Sequence, residues 1–143
     1  MKTGQKAKTM KRLSTLFVLL VALALGCMAQ TVTSNRIGGI TYYNYANGST
    51  ATSQQIGGYT YYNLPNGVTG TSTTIGGYTY TNLSTGYQST STPIGAFTYY
   101  NDNNGVTGTS NRIGQYTYYN YSNGVNGSSN TIGPYTYYNF NRR

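Results

Sequence analysis

Among the side chains that could do chemistry in this 143-residue sequence, tyrosine, asparagine and threonine are the most frequent. Eighteen residues are tyrosine. The chain has no histidine, one cysteine and one residue of the aspartate–glutamate class. Acid–base catalysis, nucleophilic catalysis and metal binding need clusters of imidazole, thiol and carboxylate groups, which this composition cannot assemble. We therefore predict that the protein is not an enzyme and that it holds no cofactor and no metal.

The chemistry that the sequence does offer is binding by aromatic rings and amides. Aromatic rings stack on sugar rings or on other aromatic groups, and amides both donate and accept hydrogen bonds. In this chain the two residue types recur at a fixed spacing, so they form rows rather than a single site. The candidate contact residues are Tyr42, Tyr61, Tyr80, Tyr99, Tyr118 and Tyr137, together with Asn44, Asn63, Asn82, Asn101, Asn120 and Asn139.

The spacing comes from a repeat of 19 residues. The pair Ile-Gly occurs at 37, 56, 75, 94, 113 and 132, without an insertion or a deletion between them. Such a register is typical of a repeat protein. Six units fill the chain from residue 30 to its end, which predicts repeats at 30–48, 49–67, 68–86, 87–105, 106–124 and 125–143.

The first 29 residues differ from the repeats and are typical of a secretory signal peptide. Five basic residues at positions 2–12 precede an apolar run at 16–25, and small residues follow up to Ala29. The apolar run is shorter than the roughly 20 residues that a membrane-spanning helix needs. We predict cleavage after Ala29 and a secreted, extracellular or cell-surface location. Alternatively, the residues before Cys27 resemble a bacterial lipoprotein signal, which implies acylation of Cys27 and an outer-membrane or periplasmic location.

The net charge of +8 is mostly a property of this leader. Without residues 1–29 the chain keeps four arginines and one aspartate, which lowers the net charge to +3. Four arginines are too few for an electrostatic groove that follows a nucleic-acid backbone. We expect no nucleic-acid partner, and we expect contact with a membrane only through the leader or through a lipid anchor at Cys27.

Each unit contains two extended stretches separated by turns, which predicts an all-β fold. Tyr, Thr and Val favour strands, and dipeptides such as Asn47-Gly48 favour tight turns. Two arrangements satisfy the pattern. We favour a β-solenoid, in which each unit is one coil and equivalent residues stack in ladders. The alternative is a single extended antiparallel sheet of β-hairpin repeats.

These features predict a structural or adhesive repeat protein that is secreted or held at the cell surface. The terminal units hardly differ from the internal ones, and uncapped repeat arrays grow end to end. Self-association into an extracellular fibre or matrix is therefore one expected role. The alternative is a module that binds surface glycans or a cell-wall polymer. Thr-x-Thr pairs also resemble the threonine ladders of β-solenoid ice-binding proteins, which makes ice binding a third hypothesis.

Overall fold

The structure is a computed structural model that describes residues 29–142. The predicted signal peptide, apart from Ala29, and the predicted lipidation site at Cys27 lie outside the described residues. Residues 29–142 form twelve strands and one 3₁₀ turn at Pro65–Gly67. The strands are β1 (Ala29–Ile37), β2 (Ile40–Tyr45), β3 (Thr50–Ile56), β4 (Tyr59–Asn63), β5 (Thr69–Ile75), β6 (Tyr78–Leu83), β7 (Gln88–Ile94), β8 (Phe97–Asp102), β9 (Thr107–Ile113), β10 (Tyr116–Tyr121), β11 (Val125–Ile132) and β12 (Tyr135–Arg142).

The twelve strands close into one antiparallel barrel. Each strand pairs with its neighbours in the chain, and β1 pairs with β12. The all-β prediction is confirmed, but both predicted arrangements are wrong, since the sheet is neither a β-solenoid nor an open array of hairpins. The solenoid fails because connections of two residues reverse the chain and join antiparallel strands. The prediction of an open sheet is wrong because β1 pairs with β12, and no turn motif in the sequence indicates that pairing.

Closure also changes the expectation about the ends of the repeat array. Residues 29–35 of β1 pair with residues 135–141 of β12, so the described sheet has no unpaired edge strand. A closed barrel removes the edges along which strands of another chain could add. The predicted end-to-end growth by strand addition has therefore lost its structural basis, while self-association through another surface stays a prediction.

One end of the barrel, which we call the tip end, carries the six two-residue turns that follow the isoleucine of each unit. In the first of these turns Ile37 pairs with Ile40 across Gly38 and Gly39. The first glycine of every such turn has φ between 57° and 61°. Only glycine adopts this conformation readily, and it matches the twist of a tight hairpin. The Ile-Gly pair therefore marks where each hairpin reverses.

The opposite end, which we call the loop end, carries five longer turns, four of which contain an Asn-Gly dipeptide. In the first of these turns the Gly48 N–H donates to the carbonyl of Tyr45 at 2.9 Å, and Gly48 has φ of 84°. The neighbouring Ala46 N–H donates to the carbonyl of Thr31 at 3.0 Å. This bond links the turn to an adjacent strand, so the loop end is tied together around the barrel.

The interior is filled by the side chains that alternate inwards along each strand. The central layer is a ring of buried tyrosines, Tyr43, Tyr62, Tyr100, Tyr119 and Tyr138, with Thr81 at the equivalent place in the third unit. Four of these tyrosine hydroxyls share hydrogen bonds with serines ten residues later: Tyr43 with Ser53, Tyr62 with Ser72, Tyr100 with Ser110 and Tyr119 with Ser129. Buried hydroxyls paired in this way cost little free energy.

A second interior feature pairs small residues with large ones across neighbouring strands. Gly70 lies opposite Leu83, Gly108 opposite Tyr121 and Gly127 opposite Phe140. A Cβ atom at any of these glycines would meet the side chain of its partner. These glycines are therefore needed for space inside the barrel rather than for a turn.

Candidate functional site on the outer wall

The outward-facing side chains form what we call the outer wall, and the predicted contact tyrosines lie on it. Tyr42, Tyr61, Tyr80, Tyr99, Tyr118 and Tyr137 are each 39–45% exposed. A second aromatic row lies one step nearer the tip end, where Tyr59, Tyr78, Phe97, Tyr116 and Tyr135 are 43–50% exposed. The sequence did not indicate which tyrosine row faces outwards, and the structure shows that these rows do.

Aromatic residues of the two rows form five doublets, each on a single strand. In the doublets Tyr59–Tyr61 and Phe97–Tyr99, the ring centroids lie 6.4 Å apart. The rings of each doublet are tilted by 30–46° rather than stacked face to face. Each doublet therefore keeps aromatic surface available to a ligand along the outer wall.

The six predicted contact asparagines are also exposed on the outer wall, on the loop-end side of the tyrosines. In one of them the amide nitrogen Nδ2 of Asn63 donates to Oγ1 of Thr52 at 3.5 Å. Equivalent asparagines are separated by an intervening strand, which puts them about 10 Å apart. The amide ladder that we expected from a solenoid is therefore not formed, and each amide is presented separately.

The outer wall carries an open groove of about 470 Å³. Strand β9 forms its floor, and β8 and β10 form its sides. The residues that line it are Tyr99, Tyr100, Asn101, Thr107, Gly108, Thr109, Asn120, Tyr121 and Ser122. The structure thus brings together three predicted contact residues, Tyr99, Asn101 and Asn120.

Hydrogen bonds between β9 and the turn after β10 shape the loop end of the groove. The backbone N–H of Thr107 donates to Oγ of Ser122 at 3.0 Å, and the Ser122 N–H donates to the carbonyl of Thr107 at 2.8 Å. Sequence reasoning did not identify Ser122 as a site residue. Its place in the groove depends on which strands are neighbours, and no motif around Ser122 records that.

No side chain that lines the groove is charged. The nearby carboxylate of Asp102 is held in its own loop, where Oδ1 accepts the N–H groups of Asn104 and Val106 at 2.9 Å. Its Oδ2 accepts the Tyr87 hydroxyl at 3.0 Å. Burial, together with this carboxylate, raises the pKa of Tyr87. Asp102 therefore organises the turn after β8, and the groove itself is neutral.

Comparison with family models, curated proteins and solved structures finds no match to this chain. Function is therefore inferred from the outer wall itself.

Within 29–142, no group of three or more histidine, cysteine, aspartate or glutamate residues is placed to hold a metal ion. No helix in the same part of the chain is long and apolar enough to cross a membrane.

Threonines on the outer wall are arranged differently from those of a stacked ladder. Thr33 pairs with Asn44, and Thr52 pairs with Asn63, so each Thr-x-Thr strand alternates with a Tyr-Asn strand around the barrel. The described wall consequently has no continuous threonine face. What it presents instead is a mixture of aromatic rings, amides and hydroxyls, repeated from hairpin to hairpin.

Proposed function

We propose that this protein is a secreted or cell-surface adhesive protein that binds neutral polysaccharide on the outer wall of its barrel. The observation that carries the proposal is the uncharged groove along β9. Its sides and floor present Tyr99, two amides and three hydroxyl groups to solvent. Secretion rests on the predicted signal peptide at 1–29.

The groove matches the chemistry of a sugar unit. A pyranose ring has an apolar face of C–H groups, which packs against an aromatic ring such as that of Tyr99. Its hydroxyl groups donate and accept hydrogen bonds, and the amides of Asn101 and Asn120 do both. A neutral groove gives no electrostatic preference for an acidic or basic ligand. A neutral glycan is therefore the ligand class that this groove supports best.

The repeat supports an adhesive role for such binding. Outward tyrosines and asparagines recur in all six units, so a long polymer can contact several positions of the wall at once. A second contact on the same polymer forms at a high effective concentration, which strengthens binding without any new chemistry. Weak binding of one sugar segment then becomes firm attachment to a polysaccharide surface.

The test is a titration of the purified protein with a panel of short neutral oligosaccharides. The double variant Asn101→Ala/Asn120→Ala removes both amides from the groove. We expect about a thirtyfold loss of affinity, the effect of losing two hydrogen bonds of about 1 kcal/mol net each. The matched control is Asn35→Ala/Asn130→Ala, which removes two outer-wall amides that do not line the groove. We expect its affinity to stay within about twofold of the parent.

Two results would contradict the proposal. One is the absence of saturable binding to every neutral oligosaccharide in the panel. The other is an equal loss of affinity in the groove variant and the control variant, since the groove would then have no specific role in binding the oligosaccharide. Binding of the intact polysaccharide more tightly than of its short segments is the further result that multivalent attachment predicts.

A further inference from the structure

The tip end of the barrel carries a ring of exposed isoleucines. One isoleucine precedes each two-residue turn, and all six are 57–64% exposed: Ile37, Ile56, Ile75, Ile94, Ile113 and Ile132. All six turns lie at the same end, because every odd-numbered strand runs from the loop end towards the tip end. Exposed aliphatic side chains in a closed ring are unusual, since apolar residues on a protein surface are normally scattered.

Polarity increases in steps from this ring towards the loop end. The isoleucines lie level with the row that contains Tyr59 and Tyr78, which we call the outer aromatic row, since five of the six isoleucines pair with it directly. The row that contains Tyr61 and Tyr80, which we call the second tyrosine row, comes next, and the exposed asparagines follow. On a single hairpin the series is Ile75 with Tyr78, then Tyr80, then Asn82. Aliphatic side chains suit hydrocarbon, whereas tyrosine rings are enriched at the boundary between hydrocarbon and water. The series therefore follows the polarity profile of one leaflet of a lipid bilayer.

The charges of the described residues favour an anionic partner at the tip end. Arg36 and Arg112 immediately precede tip isoleucines, and Nε of Arg112 donates to the carbonyl of Gly114 in the turn at 3.0 Å. Asp102 and Arg142 lie at the loop end. The tip end therefore combines apolar side chains with positive charge and no negative charge from residues 29–142.

We propose that the tip end docks on the surface of an anionic lipid bilayer, with the isoleucines and the outer aromatic row at the acyl boundary and the second tyrosine row at the level of the headgroups. Apolar insertion and electrostatic attraction to anionic lipids together produce this kind of interfacial binding. A second copy of the chain fits the same surface less well. Tip-to-tip contact would bring Arg36 and Arg112 of one copy towards the same arginines of the other, and like charges repel across an interface.

This contact is separate from any anchor at the N-terminus. Ala29, the first described residue, pairs with Asn141 at the loop end, which is the end opposite the isoleucines. Docking by the tip end places Tyr99 at the level of the headgroups and leaves Asn101, Asn120 and Ser122 of the groove on the loop-end side, away from the lipid. The proposal therefore does not depend on glycan binding.

The first test is flotation of the secreted protein, purified after removal of the predicted signal peptide, with vesicles of phosphatidylcholine containing phosphatidylglycerol. The triple variant Ile56→Thr/Ile75→Thr/Ile94→Thr keeps the β-branched shape at the tips but removes the apolar surface. We expect its partition into vesicles to fall at least tenfold. The matched control has leucine at the same three positions and is expected to bind within about threefold of the parent. A circular dichroism melt of each variant confirms that the barrel is folded.

The second test concerns the charges and uses the same vesicles. The double variant Arg36→Gln/Arg112→Gln is expected to bind vesicles that contain phosphatidylglycerol about tenfold less well. Its binding to pure phosphatidylcholine is expected to stay within about twofold of the parent. An equal change on both kinds of vesicle would contradict the role of anionic lipid.

The third test measures depth, and the chain is suited to it because it contains no tryptophan. A single reporter is introduced as Tyr78→Trp in the outer aromatic row or as Asn82→Trp in the asparagine row. Brominated lipids are expected to quench the fluorescence of the first reporter strongly and to leave the second almost unchanged. Equal quenching of both reporters, or no quenching of either, would overturn the proposal. The proposal would also be overturned if the threonine variant kept full vesicle binding but no longer formed a dimer that the parent forms in analytical ultracentrifugation. The isoleucines would then serve contact between two copies of the chain rather than contact with lipid.

Discussion

The hydroxyl groups of Tyr62 and Ser72 lie 2.8 Å apart inside the barrel and share a hydrogen bond. Tyr62 is on β4 and Ser72 is on β5, where Ser72 lies opposite Thr60. The tyrosine side chain therefore leans two residues along the barrel axis to reach the serine. The same relationship recurs in three other pairs, so the tyrosine layer is joined to the serine layer around much of the interior.

Replacing Tyr62 by phenylalanine tests this interior layer. The ring is kept, but the Ser72 hydroxyl, which is buried, loses a partner. We expect the free energy of unfolding to fall by about 1–2 kcal/mol, the usual cost of leaving a buried polar group unsatisfied. The measurement is unfolding in urea, followed by circular dichroism.

The matched control is Tyr61→Phe. Tyr61 is the next residue along the strand but faces outwards and is exposed, so its variant is expected to lie within about 0.5 kcal/mol of the parent. Equal destabilisation of the two variants would show that the inward hydroxyl has no special stabilising role.

Tyr61 and Tyr62 also show how far the sequence alone could lead. Strand alternation predicts that the two side chains point in opposite directions, and they do. It does not say which one is inside, because both are tyrosine. That choice depends on the serine that Tyr62 meets on the next strand, and on closure of the sheet by β1 and β12. Both are contacts between residues distant in sequence, so a pattern within one repeat does not contain them.

The pairing of Gly108 with Tyr121 provides a second prediction. A Cβ atom at Gly108 would meet the Tyr121 ring and would lie 3.0 Å from the Asn120 carbonyl oxygen. We expect Gly108→Ala to destabilise the barrel by about 1–3 kcal/mol through overpacking. Gly58→Ala is the control, because nothing lies within 4 Å of a Cβ atom there and its backbone is not in the left-handed region.

A second substitution checks that space is the cause. The second unit has Ala51 and Leu64 at the positions equivalent to Gly108 and Tyr121. Adding Tyr121→Leu to Gly108→Ala is therefore expected to cost less than the sum of the two single changes, as a double-mutant cycle in urea would show. Strict additivity would contradict the steric explanation.

The groove along β9 illustrates why the candidate site was only partly predictable. Repetition identified Tyr99, Asn101 and Asn120, because the same residue types recur every 19 positions. It did not identify Ser122, and it placed equivalent residues in ladders rather than on separate strands. The tip end is a similar case. The isoleucines are visible in the sequence, but their exposure follows from the barrel, whose interior is already filled by tyrosine.

The buried tyrosines predict how stability depends on pH. Burial raises the pKa of Tyr62 from its ordinary value of 10.0 to about 12, and it also raises the pKa of Tyr43, Tyr45 and Tyr121. Between pH 10 and pH 12 the unfolded chain therefore binds fewer protons than the folded barrel. Stability is then expected to be insensitive to the ionisation of these groups below about pH 10 and to fall as the pH rises above it.

Urea unfolding at a series of alkaline pH values measures this decline. Each tyrosine that stays protonated in the barrel and ionises in the unfolded chain contributes about 1.4 kcal/mol per pH unit in that interval. Tyr62→Phe removes one such group, so its stability is expected to fall less steeply than that of the parent between pH 10 and pH 12. Tyr61→Phe keeps all of the buried tyrosines and should follow the parent in this interval. A parent whose stability is constant or rises above pH 10 would contradict the assignment of buried, protonated tyrosines to the barrel interior.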